Sequence, residues 1–347
     1  MIRRCLLVLP AVVASAAAGA CRLERRRNWL ALFGWLVLCL PSSRAGVILD
    51  GVPDASYLAF ATQFSASGRL LGGPGPGSGT LIAPHWVLAA GHVFNATTFQ
   101  LGDSGPSYSV AQVVYHPQFL LNGGDLAYGF DLALYRLSTP VVGATPANIY
   151  RGSNEVGATA AITGFGLTGV GVNPTLVGPA VHRAGTNQVD SLLSFADGPG
   201  GKIGATQAAF LADFDAPAGI GTPGQYNSLL PFGSLATPTA LEYHLANGDS
   251  GGGVYLYEDN QWYLAGINSA VISQSGVNDW LLNDPSGNTN RFGYGAAALF
   301  TRVSSFQAFI DANLSATPEP SSAIFTGLSL SWILAIRRRR VPRFPLA

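Results

Sequence analysis

From about residue 47 to residue 303 the apolar positions fall in short blocks rather than in long helical stripes. The blocks "YLAFATQFSA" (57–66), "SGTLIAPHWVLAA" (78–90), "SVAQVVYHP" (109–117), "LALYRLSTP" (132–140), "GATAAITGFG" (157–166) and "NQWYLAGINSAV" (260–271) are rich in β-branched and aromatic residues. Turn-forming Gly, Pro, Asn or Asp bounds them, so each predicts a strand. Helical spacing is clear only in "SSFQAFIDANLS", where Phe306, Phe309, Ile310 and Leu314 recur on one face. That spacing predicts a terminal helix over 304–314 with Ser304 or Ser305 as its cap. Residues 185–240, poor in charge and rich in Gly, Pro and Ala, read as long surface loops around one or two strands. The fold class expected from this pattern is all-β, with many short strands and one C-terminal helix.

Composition agrees with that pattern: 43 glycines and 22 prolines supply turns, and only 11% of the residues are charged. The formal net charge of zero hides an asymmetry. The basic residues gather at the two ends, and between residues 46 and 320 seven basic residues face eighteen acidic ones. An acidic body of this kind makes nucleic acid an unsuitable partner. The three cysteines, Cys5, Cys21 and Cys39, all precede residue 46. A body without them has no disulfide, thiol nucleophile or cysteine metal site, so its stability must come from core burial.

The ends read as targeting segments. Arg25 to Arg27 precede an apolar run, Trp29 to Leu40, and then Ser43-Arg44-Ala45, which is the anatomy of a secretory signal within a leader over 1–45. At the other end Pro318-Glu319-Pro320 is followed by a mostly apolar stretch, 321–336, and by Arg337 to Arg340. A span of that length is marginal for crossing a bilayer, with the arginines held on the cytoplasmic side. The order of features over 316–347 resembles the PEP-CTERM sorting signal of exported bacterial proteins. That resemblance implies processing by an exosortase, after a signal peptidase has acted at the leader, and delivery to the cell envelope or the outside. A plain tail anchor is the alternative.

Chemistry enters with "NGDSGGG" (247–253), a serine set among glycines. A serine hydroxyl is a weak nucleophile that needs a base, and the base needs an orienting group. His92 ends the apolar run of "HWVLAAGHVF", and Asp131 opens that of "FDLALYRL". A carboxylate there is costly to bury unless it is hydrogen-bonded, for example to an imidazole N–H.

With "GSGTLIAPHWVLAAGHV", "FDLALYRL", "AITGFG", "NGDSGGG", "YLAGINSAV" and "FTRVSSFQAFI" in this order, residues 46–315 resemble the trypsin-like (chymotrypsin-fold) serine proteases of bacterial type. The resemblance implies two packed antiparallel β-barrels, at about 46–155 and 156–303, with the active site in the cleft between them. It also implies Ser250 as nucleophile, His92 as general base and Asp131 as its orienting acid, with the backbone N–H groups of Gly248 and Ser250 as the oxyanion hole. By the same likeness Ser269 supports Asp131, and His244 lies at the base of the specificity pocket. Val271 would narrow that pocket, which suggests small or medium apolar substrate side chains and gives no support for Arg or Lys. Asp249 is the residue that pairs with a freed N-terminal amine in many members; here Val47 or Ile48 is the candidate, without the family's usual second-position valine.

The resulting expectation is an exported serine endopeptidase acting on proteins or peptides, without a cofactor. A catalytically silent relative with a binding or envelope role is the main alternative. An esterase of the α/β-hydrolase kind is disfavoured by the His-Asp-Ser order. The five histidines, at 85, 92, 116, 182 and 244, have no metalloprotease spacing, so no metal site is expected.

Overall fold

In the computed structural model the described residues are 46–176, 181–222, 225–235, 237–273 and 291–315. The leader and the tail, and with them both targeting expectations, lie outside this set. Among the described residues no helix is long and apolar enough to cross a membrane.

The described residues begin with β1 (Gly46–Ile48) and α1 (Asp54–Ala61). It continues through β2 (Ser67–Leu71), β3 (Gly77–Ala83), β4 (Trp86–Ala89), β5 (Thr98–Leu101), β6 (Ser107–Tyr115), α2 (Pro117–Leu121) and β7 (Ala133–Leu137). Strands β2-β3-β4-β7-β6-β5 close into a six-stranded barrel, which leaves no exposed edge. Leu70, Leu81, Val87, Leu88, Phe99 and Leu134 are fully buried. Each such side chain stabilises the fold by about 1.5–3 kcal/mol relative to exposure.

The second half contributes β8 (Asn148–Ile149), β9 (Thr159–Gly164), β10 (Thr168–Val170), β11 (Arg183–Gln188), β12 (Ser191–Leu193) and β13 (Ala209–Asp213). β14 (Tyr243–His244), β15 (Gly253–Glu258), β16 (Gln261–Ile272) and β17 (Ala297–Arg302) complete it. Its main sheet runs β11-β9-β15-β16-β17-β13-β12, with β8 beside β16. Among the described residues these pairings form a path without a closing pair, so the second barrel that was expected is not clearly shown. β1 lies between β10 and β14. The residues at the start of the first expected barrel therefore pair with strands of the second half.

Two other sequence expectations need correction. "YLAFATQFSA" is not a strand: its first half belongs to α1. Tyr57 and Ala61, one helical turn apart, are buried, but the apolar Leu58, Ala59 and Phe60 between them mask the period. Asp54 in the first turn accepts from Arg183 Nε at 2.6 Å and Nη2 at 2.8 Å, which ties α1 to β11 and complements the helix dipole. At the C-terminus a 3₁₀ turn over Val303–Phe306 leads into α3 (Gln307–Ser315). Neither Ser304 nor Ser305 caps it. Ser304 Oγ donates to Glu155 Oε1 and Ser305 Oγ to the Gln207 carbonyl.

Residues 185–240 are mostly loop around β12, β13 and most of β11, and together with Glu242 they carry a cluster of buried carboxyls. Asp190 Oδ2 accepts from Asp213 N–H at 3.0 Å, Asp213 Oδ2 from Leu229 N–H at 2.8 Å, and Glu242 Oε2 from Thr239 Oγ1 at 2.6 Å. Burial, reinforced by the charge of Asp213, pushes Asp190 and Asp215 up to about 8, and burial holds Glu242 well above the usual carboxyl range. These groups keep their protons in the folded chain at pH values where the unfolded chain releases them. Their contribution is complete below about pH 4 and is lost as the pH rises towards 8. We expect Tm to fall by at least about 3 °C between pH 5 and pH 8, and less steeply in Asp215→Asn; calorimetry across that range checks both.

Candidate active site

His92 lies three residues past the end of β4, and Asp131 two residues before β7. Because β4 and β7 pair antiparallel with Ala89 opposite Ala133, the two residues meet at one end of the barrel. Asp131 is 1% exposed. Its Oδ1 accepts from the His92 backbone N–H at 2.8 Å, and its Oδ2 lies 2.7 Å from His92 Nδ1 and accepts from Ser269 Oγ at 2.6 Å. A buried carboxylate is thereby fully provided with donors, which removes most of the cost of burying it. Donation from Nδ1 leaves Nε2 of the neutral ring as the acceptor. Burial alone would lower the His92 pKa, but the charge of Asp131 and its hydrogen bond outweigh this and raise it above the ordinary value.

The serine loop, 247–253, is docked onto both halves of the molecule. Ser78 on β3 donates its N–H to the Ser250 carbonyl at 2.7 Å and its hydroxyl to the Gly248 carbonyl at 2.9 Å, and that hydroxyl accepts from Phe165 N–H at 3.0 Å. Asn268 Nδ2 donates to the carbonyls of Thr163 and Asp249. Gly251 has a φ of +85° and packs so closely on Ser78, Ala89 and Ala90 that a Cβ there would collide with the Ser78 carbonyl. Ser250 is thus pressed against the stretch that carries His92, and it lines the same cavity as Ser269, the Asp131 partner. Its hydroxyl forms no hydrogen bond to His92 or to any other described residue.

Within this loop the Asp249 N–H donates to the Ala246 carbonyl at 3.0 Å and the Gly251 N–H to the Asn268 carbonyl at 2.8 Å. The N–H groups of Gly248 and Ser250 donate to no described residue. Gly248 has a φ of +99°, a conformation that suits glycine. A pair of uncommitted amides flanking a committed one is an arrangement that can receive a developing oxyanion.

The Asp249 carboxylate points away from the serine. Its Oδ1 accepts from Gly166 N–H at 2.7 Å and its Oδ2 from Ala246 N–H at 2.8 Å. Burial pushes it up to about 7 against these hydrogen bonds. Side chains on Gly164 or Gly166 would collide with this carboxylate, which explains the glycines of "AITGFG". Val47 and Ile48 are built into β1, paired with His244 and Tyr243. Backbone amides hold Asp249 here.

Ser269 and Val271 line the cavity at Ser250, which has a volume of about 350 Å³, together with Leu245, Ala246, Arg291 and Phe292 among others. His244 is not among its lining residues. It is fully buried, parallel to the Phe214 ring, and Nε2 lies 3.0 Å from the Arg291 carbonyl. Burial drives its pKa down to about 4, so the ring is neutral. Three site residues were not anticipated from the sequence. Ser78 and Asn268 carry a signal that could have been used, as polar side chains inside apolar strands; Arg291 carries none. Removing the Ser78 hydroxyl leaves the buried Phe165 N–H and Gly248 carbonyl unpaired. Ser78→Ala is therefore expected to lower stability by about 1–3 kcal/mol, as read from denaturant unfolding.

The Trypsin family model matches residues 61–190. That span holds His92 and Asp131 and ends before Ser250. No curated protein matches the chain. Among solved structures, neuropsin, a serine protease expressed in the limbic system of mouse brain, is similar at 20% identity and a TM-score of 0.46, covering 73% of this chain and 96% of its own. The fold is trypsin-like: mostly β, with a closed six-stranded barrel and a C-terminal helix.

Proposed function

We propose that the chain is a serine endopeptidase in which Ser250, His92 and Asp131 form the catalytic triad. The observation that supports this best is the Asp131 carboxylate, buried and bonded at once to the His92 ring, the His92 backbone and Ser269. Such a carboxylate fixes the imidazole tautomer with Nε2 facing outward as a base. In this reading Nε2 takes the Ser250 proton as Oγ attacks the scissile carbonyl, and the carbonyl oxygen gains negative charge. The N–H groups of Gly248 and Ser250 receive that charge. The imidazolium, stabilised by Asp131, then gives its proton to the leaving amine, and water repeats the cycle to release the acyl group. Export through the leader and processing of the 316–347 tail by an exosortase complete the proposal, and place the enzyme at the cell envelope or outside.

Incubating the full chain with an unfolded polypeptide and, separately, with a p-nitrophenyl ester tests the reaction class. Internal cleavage of the polypeptide is the expected result. Ester turnover without peptide cleavage would indicate an esterase, and turnover of neither would favour a catalytically silent binding protein.

A further inference from the structure

The seven basic residues of the body, set against eighteen acidic ones, are distributed unevenly between roles. Arg69, Arg151, Arg183, Lys202 and Arg302 are each ion-paired, with Asp103, Asp311, Asp54, Asp125 and Glu155 respectively. Arg136 and Arg291 have no carboxylate partner among the described residues. Of these two, Arg291 lines the cavity that Ser250 opens into. In a body so rich in carboxylates, a cation at this cavity with no carboxylate partner among the described residues is a binding group still to be used.

We infer that Arg291 selects substrates with an acidic side chain immediately before the scissile bond. The inference rests on the protease reading above and gives its substrate class. The other named walls of the cavity are Leu245, Ala246, Ser269, Val271 and Phe292, none of which carries a charge. His244 adds none either, because its ring is buried and neutral, but it holds the backbone of residue 291, whose side chain is exposed at the cavity. Its Nε2 donates to the Arg291 carbonyl and so ties residue 291 to β14, three residues before the serine loop begins at Asn247. A carboxylate entering the apolar cavity loses water and needs a charged, forked donor in return, which a guanidinium supplies in bidentate geometry. A lysine or arginine side chain would meet like charge. A leucine would fit the apolar walls but would leave Arg291 unpaired. The apolar preference expected from Val271 is thus replaced by an acidic one, with Val271 and Leu245 packing on the methylenes of the entering side chain.

The test compares the full chain and Arg291→Glu on one peptide series that differs only at the residue before the cleavage site: Glu, Asp, Leu or Lys. The reading is the ratio of kcat/KM values within each protein, so a general loss of activity in the variant does not confound it. The wild type is expected to prefer Glu or Asp over Leu by about 10- to 100-fold, the discrimination of a charged hydrogen bond. Arg291→Glu is expected to reverse the order of Glu and Lys. Cleavage of the series with Leu equal to or better than Glu, or a Glu/Lys ratio that the variant leaves unmoved, would overturn the acidic preference and leave the protease reading in place. No cleavage of any peptide by folded wild type would overturn the protease reading itself.

Discussion

Replacing Ser250 with alanine is expected to lower kcat for peptide hydrolysis by about 10⁶, leaving a residual rate about 10³–10⁴ above water from the oxyanion donors and binding. The size of the effect follows from the chemistry, because without Oγ there is no acyl-enzyme and His92 has only water to activate. Stability should barely change. The Ser250 hydroxyl makes no hydrogen bond to a described residue, and the loop is held by its backbone through Ser78, Gly251 and Asn268. Steady-state hydrolysis and thermal unfolding, measured on the same preparations, check the two halves of this expectation together. Equal hydrolysis by wild type and variant would mean that the activity belongs to another site or to a contaminant.

Asp131→Asn is expected to cost about 10⁴ in kcat, because an amide cannot hold the imidazole in the same tautomer or stabilise its charged form. It also carries a distinct pH signature. With His92 as the proposed general base, catalysis needs its neutral form, so kcat/KM is expected to fall as the pH drops through the His92 pKa. In the wild type the charge and hydrogen bond of Asp131 raise that pKa, and the acid limb should lie above 6.5. Removing the charge leaves burial, which acts in the opposite direction, so in Asp131→Asn the limb should move below 6.5. A pH profile of kcat/KM for the two proteins reads this directly. A drop in rate with no movement of the limb would mean that Asp131 does not control the protonation of His92.

Four strands of the first barrel could be read in the sequence because they are short apolar blocks closed by turn formers: β3, β4, β6 and β7 fall where "SGTLIAPHWVLAA", "SVAQVVYHP" and "LALYRLSTP" put them, whereas β2 and β5 lie outside any such block. Helix α1 could not, since three consecutive apolar residues between Tyr57 and Ala61 look the same in a strand as in a helix. The acid cluster was hidden for a different reason. Asp190, Asp213, Asp215 and Glu242 are spread over more than fifty residues, and only the pairing of β12 with β13 brings the first two together.

The same distinction holds at the site. His92, Asp131, Ser250 and Ser269 stand in short stretches whose local pattern marks them. Arg291 sits in an unremarkable "RFGYG", and its place depends on a hydrogen bond from His244, 47 residues away in sequence. His244, in turn, matched a pocket position by its offset from the serine. Burial and stacking on Phe214 instead place it behind the cavity as a neutral support for the residue that lines it. Offset along the chain locates a backbone position, whereas the direction of a side chain depends on what packs around it.

The most direct test of the triad is intact-mass analysis after incubation with a fluorophosphonate, which phosphonylates only a serine that a neighbouring base has activated. One adduct on the folded wild-type chain, located at Ser250 by peptide mapping and missing from Ser250→Ala, is the result expected of a working nucleophile. An unmodified wild-type mass, or an adduct that persists in Ser250→Ala, would contradict it.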